Sequence, residues 1–158
     1  MKLLLLGKSG QVGWELQRSL APLGELVALD RQVTDGLCGD ISDLSALAQV
    51  IEAVRPDVII NAAAHTAVDK AEAEPDLALR LNAEAPEVMA QAARRLGALL
   101  VHYSTDYVFD GSGSTPRSES AATAPLSVYG STKLEGEARI MASGCRHLIF
   151  RTSWVYAA

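Results

Sequence analysis

An α/β fold, with a doubly wound parallel sheet and helices on both faces, is what this sequence of 158 residues predicts. Two observations carry that prediction. Short apolar runs alternate with longer amphipathic segments, the order that stacked βαβ units produce. The runs are apolar at consecutive positions, as in Leu3 to Leu6, Val58 to Ile60 and Leu148 to Phe150, which places both faces of each strand against helices. At this length one domain with one hydrophobic core is expected over 1–158.

Each element has its own signal. The first strand, Lys2 to Leu6, begins like a secretory leader. Its apolar stretch stops at Gly7 after four leucines, short of the roughly 7 to 15 residues of a leader core, and it reads as a buried strand. A helix follows over Gln11 to Leu20, with Val12, Leu16 and Leu20 on one face and Gly24 marking its end. The second strand is Glu25 to Leu29, and a short third is expected near Leu37 to Gly39. Ser42 and Asp43 can cap a helix that runs to Val54 and is stopped by Arg55-Pro56. Val58 to Asn61 is the next strand. A long helical segment from about Pro75 to Leu96 stops at Gly97, with Pro86 as a break or kink inside it. Strand Leu99 to Ser104 precedes a stretch from Asp110 to Pro125 rich in Gly, Ser, Thr and Pro, which reads as a long functional loop. A helix from near Ser127 to about Ala142 and a sixth strand, His147 to Arg151, complete the pattern. Trp14 reads as a packing residue and Cys38 as a buried one.

Composition narrows the function classes. Apolar residues are 49% and charged residues 21%, as in folded rather than disordered proteins. Fourteen Lys and Arg face nineteen Asp and Glu, a net charge of −5 with no basic run, so nucleic acid is not an expected partner. No apolar run approaches the roughly 20 residues of a membrane span. Cys38 and Cys145 form no CxxC and have no His at metal-ligand spacing, so neither a disulfide framework nor a metal site is expected, and a reducing cytoplasm fits.

Four motifs carry chemistry. Gly7-Lys8-Ser9-Gly10-Gln11-Val12-Gly13 lies between a strand and a helix. Glycine permits the tight turn at Gly7, backbone approach to a pyrophosphate at Gly10 and close helix packing at Gly13, while the helix N-terminus offers free N–H groups. The spacing is GxxGxxG rather than GxGxxG, and a glycine-rich turn in an ordinary βα connection uses the same residues. Asp30 ends the second strand at about the 20-residue distance where a carboxylate meets an adenosine ribose. Arg31 beside it suits a 2′-phosphate, so NADH and NADPH both stay open. In Tyr129-Gly130-Ser131-Thr132-Lys133 the phenol and the ammonium share a helix face. A cation close by favours the phenolate and brings a group that titrates near pH ~10 toward working pH, which suits Tyr129 as proton donor to a carbonyl receiving hydride. Ser104-Thr105-Asp106 places hydroxyls at the carboxyl edge of the sheet, where they can meet substrate or simply end the strand. His102 reads as a satisfied core or edge histidine, and Trp154 as either core or substrate contact.

These residues together resemble the extended short-chain dehydrogenase/reductases, with a Rossmann fold. More narrowly, the chain is similar to the dTDP-4-dehydrorhamnose reductase family through GKSGQVGWELQRSLAP, RPDVIINAAAHTAVDKAE, VHYSTDYVFDG, VYGSTKLEGE and FRTSWVY. The resemblance implies NADH- or NADPH-dependent reduction of the 4-keto group of dTDP-4-dehydro-L-rhamnose. It implies that Gly10, Gln11 and Val12 touch the pyrophosphate, Asp30 the ribose, and Asp40 with Ile41 the adenine. Ala63, Ala64, His65 and Thr66 would line the path to the nicotinamide, with Tyr103 nearby. Tyr129 would donate the proton, Lys133 would hold the nicotinamide ribose and lower the phenol's pKa, and Thr105 would complete the triad. Asp106 and Trp154 would meet the sugar. Family members continue into a second portion that completes the sugar-nucleotide pocket, so the chain is expected to be the cofactor-binding half, poorly active alone. Some members form a magnesium-linked dimer through residues that this chain does not contain; a homodimer stays possible. A 4,6-dehydratase of the same superfamily would carry Thr-Asp-Glu, and Tyr107 stands at the third position instead. A relative of another class, similar to the regulatory beta subunit of methionine adenosyltransferase, would bind NADP without catalysis. Thr105, Tyr129 and Lys133 together argue for an enzyme.

Overall fold

Consecutive leucines can all be buried in a strand only if both sides of the sheet are covered, because neighbouring side chains point to opposite faces. In β1 (Lys2–Leu6), Leu3 and Leu5 belong to one apolar layer and Leu4 and Leu6 to the other. The structure, a computed structural model, describes residues 1–156. Its single sheet has the order β2-β1-β3-β4-β5, every pair parallel, from β2 (Glu25–Leu29), β3 (Val58–Asn61), β4 (Leu99–Thr105) and β5 (Arg146–Thr152). The chain runs outward from β1 to β2 and then crosses back to β3 on the other side of β1. That reversal opens a crevice at the carboxyl ends of β1 and β3.

The two faces are covered unequally. Helices α2 (Leu44–Val54), α5 (Ala85–Leu96) and α6 (Val128–Ser143) bury Leu47, Ile51, Met89 and Ile140 against Leu4, Leu6, Ile59 and Leu100. On the opposite face α1 (Gln11–Leu20) lays Leu16 and Leu20 over Leu3, Leu5 and Ile60. Further along that face Leu148 and Phe150, level with Val101 and Tyr103, are 48% and 46% exposed.

The caps are local chemistry. Asp43 accepts the Ala46 N–H at 2.9 Å to start α2, and Arg55 ends it in the left-handed region at φ 49° before Pro56. Ser127 accepts the Gly130 N–H at 3.1 Å to start α6.

Several expectations are corrected. The third strand does not form: near Leu37 there is a lone antiparallel bridge to Thr34, and Gly39 donates to the Asp30 carbonyl at 2.7 Å. A few residues between two glycines fold back over the end of β2 rather than pairing along an edge. Five strands therefore stand among the described residues, where six were expected. The break expected at Pro86 is present as a change of helix type rather than an end of the helix. Pro86 lies in the first turn of α5, where a missing N–H matters little, directly after a π-helical turn over Arg80–Glu84. The preceding turns are α3 (Val68–Ala73) and α4 (Pro75–Leu79), of which α3 had no periodic signal at six residues. Trp14 is 70% exposed rather than packed, because α1 faces the sheet with Leu16 and Leu20. Cys38 is only half-buried.

Candidate active site

A cleft of about 810 Å³ runs along the carboxyl edge of the sheet. Gly7, at φ +89°, makes the turn out of β1; a Cβ there would lie 2.8 Å from the Ala63 amide nitrogen. Gly13 presses on the Gly7 carbonyl, which brings α1 close to the strand. Gly10 caps α1 in extended conformation with no side-chain bond, so the first-turn amides at Gln11 and Val12 have no helical acceptor and open on the cleft.

Asp30, at the end of β2, accepts from the Ser9 hydroxyl and from the Gln32 N–H at 2.8 Å. Those two bonds, Ser9 foremost, hold its carboxyl below the usual range. Arg31, Asp40 and Ile41 line the same end, where Asp40 accepts the Ser42 N–H at 2.9 Å. Ala63, Ala64 and Thr66 form the middle of the wall after β3. His65 does not line the cleft: the Asn82 side chain grips its backbone N–H at 2.8 Å and its carbonyl at 3.1 Å, and the buried imidazole sits 3.6 Å from Glu74. Gly13 is likewise behind the wall.

The other end is built by β4 and α6. Thr105 caps a 3₁₀ turn over Asp106–Val108, its hydroxyl accepting the Tyr107 N–H at 3.2 Å and donating to Asp106 at 3.3 Å. Gly130 and Gly136 let α6 lie directly on the carbonyls of Tyr107 and Asn82. The Tyr129 ring then meets the Tyr107 ring edge to face, with centroids 5.6 Å apart. Burial pushes the Tyr129 phenol above its ordinary value against the pull of the Thr105 hydroxyl, and Asp106 and Tyr107 raise it further. The phenol thus stands above its ordinary value, where a phenol drawn down toward working pH was expected. Burial also raises the Tyr103 phenol.

Lys133, one turn from Tyr129, is 2% exposed and donates to the Tyr103 carbonyl at 2.6 Å. Burial pushes it down to about 8, against the carboxylate of Glu137. Glu137 is itself buried, held by the Ser104 hydroxyl at 2.5 Å and by a two-toothed Arg151 fork at 2.6 Å and 3.0 Å. Asp106 and the exposed Trp154 also face the cleft.

The cleft therefore gathers Gly7, Gly10, Gln11, Val12, Asp30, Arg31, Asp40, Ile41, Ala63, Ala64, Thr66, Tyr103, Thr105, Asp106, Tyr129, Lys133 and Trp154. Sequence reasoning missed Leu77 and Leu81, whose helical spacing signals core, and Ser9, whose hydroxyl anchors Asp30. Among the described residues no group of three or more His, Cys, Asp or Glu is placed to hold a metal, and no helix is long and apolar enough to cross a membrane.

A family described as the RmlD substrate binding domain matches residues 1–158. The dTDP-4-dehydrorhamnose reductase of Shigella flexneri is 61% identical over 157 residues, 99% of this chain and 52% of the relative. A crystal structure of a dTDP-4-dehydrorhamnose reductase from Clostridium acetobutylicum has a TM-score of 0.90 at 43% identity, covering 99% of this chain and 54% of the other. The Bacillus anthracis dTDP-4-dehydrorhamnose reductase, solved in complex with NADP, has a TM-score of 0.89 at 37% identity, with 98% and 54% coverage. The chain spans about half the length of the curated relatives it matches.

Proposed function

Because this chain belongs to the RmlD substrate binding domain family, we propose that it is the NAD(P)H-binding part of a dTDP-4-dehydrorhamnose reductase, which reduces the 4-keto group of dTDP-4-dehydro-L-rhamnose. The observation that carries this reading is the meeting of Tyr129, Lys133 and Thr105 at one end of the cleft whose other end is the glycine turn. The pocket for the sugar nucleotide is completed by the second portion found in the longer relatives.

The residues present fit a nicotinamide dinucleotide. The turn at Gly7, where a Cβ would meet the Ala62 and Ala63 backbone, and the unpaired first-turn amides of α1 after Gly10 leave bare backbone open on the cleft for a diphosphate. Gly10, Gln11 and Val12 hold the diphosphate. Asp30, kept ionised by Ser9 and Gln32, accepts from the adenosine ribose, and Arg31 beside it accommodates a 2′-phosphate, so NADH and NADPH are both taken. Asp40 and Ile41 contact the adenine, and Ala63, Ala64, Thr66 and Tyr103 border the nicotinamide. When bound, the dinucleotide supplies the hydride. Lys133 donates to the nicotinamide ribose. Tyr129, whose raised pKa keeps it protonated at neutral pH, gives its proton to the keto oxygen with the Thr105 hydroxyl at its side. Asp106 and Trp154 position the sugar.

The test uses a protein of the relatives' full length that carries this chain, with dTDP-4-dehydro-L-rhamnose and nicotinamide absorbance as readout. Steady consumption of NADPH or NADH is expected. Dinucleotide binding without turnover would replace this reading with that of a non-catalytic binding subunit.

A further inference from the structure

His102 has no part in the chemistry above, yet it is fully buried behind Lys133 and touches it. Its surroundings dictate where its proton sits. The Ala63 N–H donates to Asn61 Oδ1 at 3.1 Å, which fixes the orientation of the Asn61 amide. The amide Nδ2 therefore faces His102 Nδ1, at 3.0 Å, as a donor. Nδ1 must accept, and a neutral imidazole with an accepting Nδ1 carries its proton on Nε2. That Nε2–H points at Lys133 Nζ, 3.2 Å away. An ammonium has three donors and no lone pair, so it cannot accept this bond; a neutral amine can.

We propose that Asn61 and His102 form a one-way hydrogen-bond chain that favours the neutral amine of Lys133 over its ammonium, the amine accepting from His102 and donating to the Tyr103 carbonyl. They are positioning residues, acting through Lys133. One N–H of that amine is left for the cleft. The inference deepens the role given to Lys133 above and rests on that reading for its bearing on catalysis.

The groups around the amine agree. From β4 it meets His102 and the Tyr103 carbonyl, and from α6 it faces the charge of Glu137, with Tyr129 one turn before it on the same helix. Glu137 favours the ammonium, but its carboxylate is already taken up by Arg151 of β5 and by Ser104. Burial drives both His102 and Lys133 toward their uncharged forms.

Nitrogen-15 NMR of the three histidines and carbon-13 NMR of the four lysines, assigned by sequential connectivity, test this in the 158-residue chain. Wild-type His102 is expected to carry its proton on Nε2, with Lys133 titrating near 8. A proton on Nδ1, or a lysine at its ordinary value, overturns the proposal. In Asn61→Asp the carboxylate accepts from His102 Nδ1–H, freeing Nε2 to accept from an ammonium. The tautomer should switch and the Lys133 acid dissociation constant should fall tenfold or more. A fall with the tautomer unchanged would mean that carboxylate charge alone acts, and would also overturn the proposal. If Asn61→Asp does not fold, the wild-type measurements decide. Both readouts are taken without substrate or dinucleotide, so they stand or fall apart from the reductase reading.

Discussion

Tyr129 feels two opposing influences at one oxygen: burial keeps its proton on, and the Thr105 hydroxyl favours taking it off. For a reduction the proton has to be present when the carbonyl gains negative charge, so the raised pKa is the useful direction. Tyr129→Phe keeps the ring packing on Tyr107 but removes that proton. Turnover should fall by about 10² to 10⁴ while dinucleotide affinity, measured by calorimetry, stays unchanged. Lys133 makes a separate prediction about stability. The unfolded chain has this lysine at 10.5 and the folded chain at about 8, so between those pH values the unfolded state binds more protons and stability rises with pH. Below about 8 both states are protonated and the full burden on the fold is present. Denaturant unfolding should show wild type gaining on the order of 3 kcal/mol relative to Lys133→Met across that interval. A constant difference would show that Lys133 titrates alike in both states.

At the scale of elements, α6 is the part that decides whether the site exists. Its glycines sit where backbone meets backbone: Gly130 on the Tyr107 carbonyl and Gly136 on the Asn82 carbonyl. Gly130→Ala places a methyl group on that carbonyl, so helix and 3₁₀ turn have to separate. A loss of about 1 to 3 kcal/mol is expected, with a fall in turnover because Tyr129 and Thr105 move apart. Stability loss with full turnover would show that the site tolerates the displacement. Asp43→Ala on α2 is the contrast: loss of the cap should cost about 1 kcal/mol by denaturant unfolding and leave dinucleotide binding intact.

For the whole molecule, the glycine-turn end of the cleft proposed to hold the dinucleotide and the Tyr129 end both lie within this chain, whereas the chain covers only 52% of a relative such as the Shigella flexneri reductase. The 158-residue chain should therefore bind NADPH or NADH, seen as a rise in melting temperature worth about 2.7 kcal/mol at a hundred times the dissociation constant. It should turn over the sugar nucleotide far more slowly than a full-length protein, because rate depends on holding both reactants in register. Equal rates would place the sugar pocket inside this chain.

The sheet, its strand alternation and the two ends of the cleft were legible from local signals. Leu3 to Leu6 state a strand buried on both faces, Asp43 and Ser127 state helix starts, and the Tyr129 and Lys133 spacing states a shared helix face, because each of these depends on near neighbours in the chain. Leu37 to Gly39 misled, since whether a short run pairs depends on a partner edge that no local pattern reveals. Pro86 signalled an interruption of the helix, but not its form, a π turn just upstream. What only the tertiary structure decided is the electrostatic character of the site. His102, Asn61, Glu137 and Arg151 come from three strands and a helix, and their effect on Lys133 and Tyr129 arises from burial and hydrogen-bond direction. Those exist only once distant segments have excluded water from the same few ångströms.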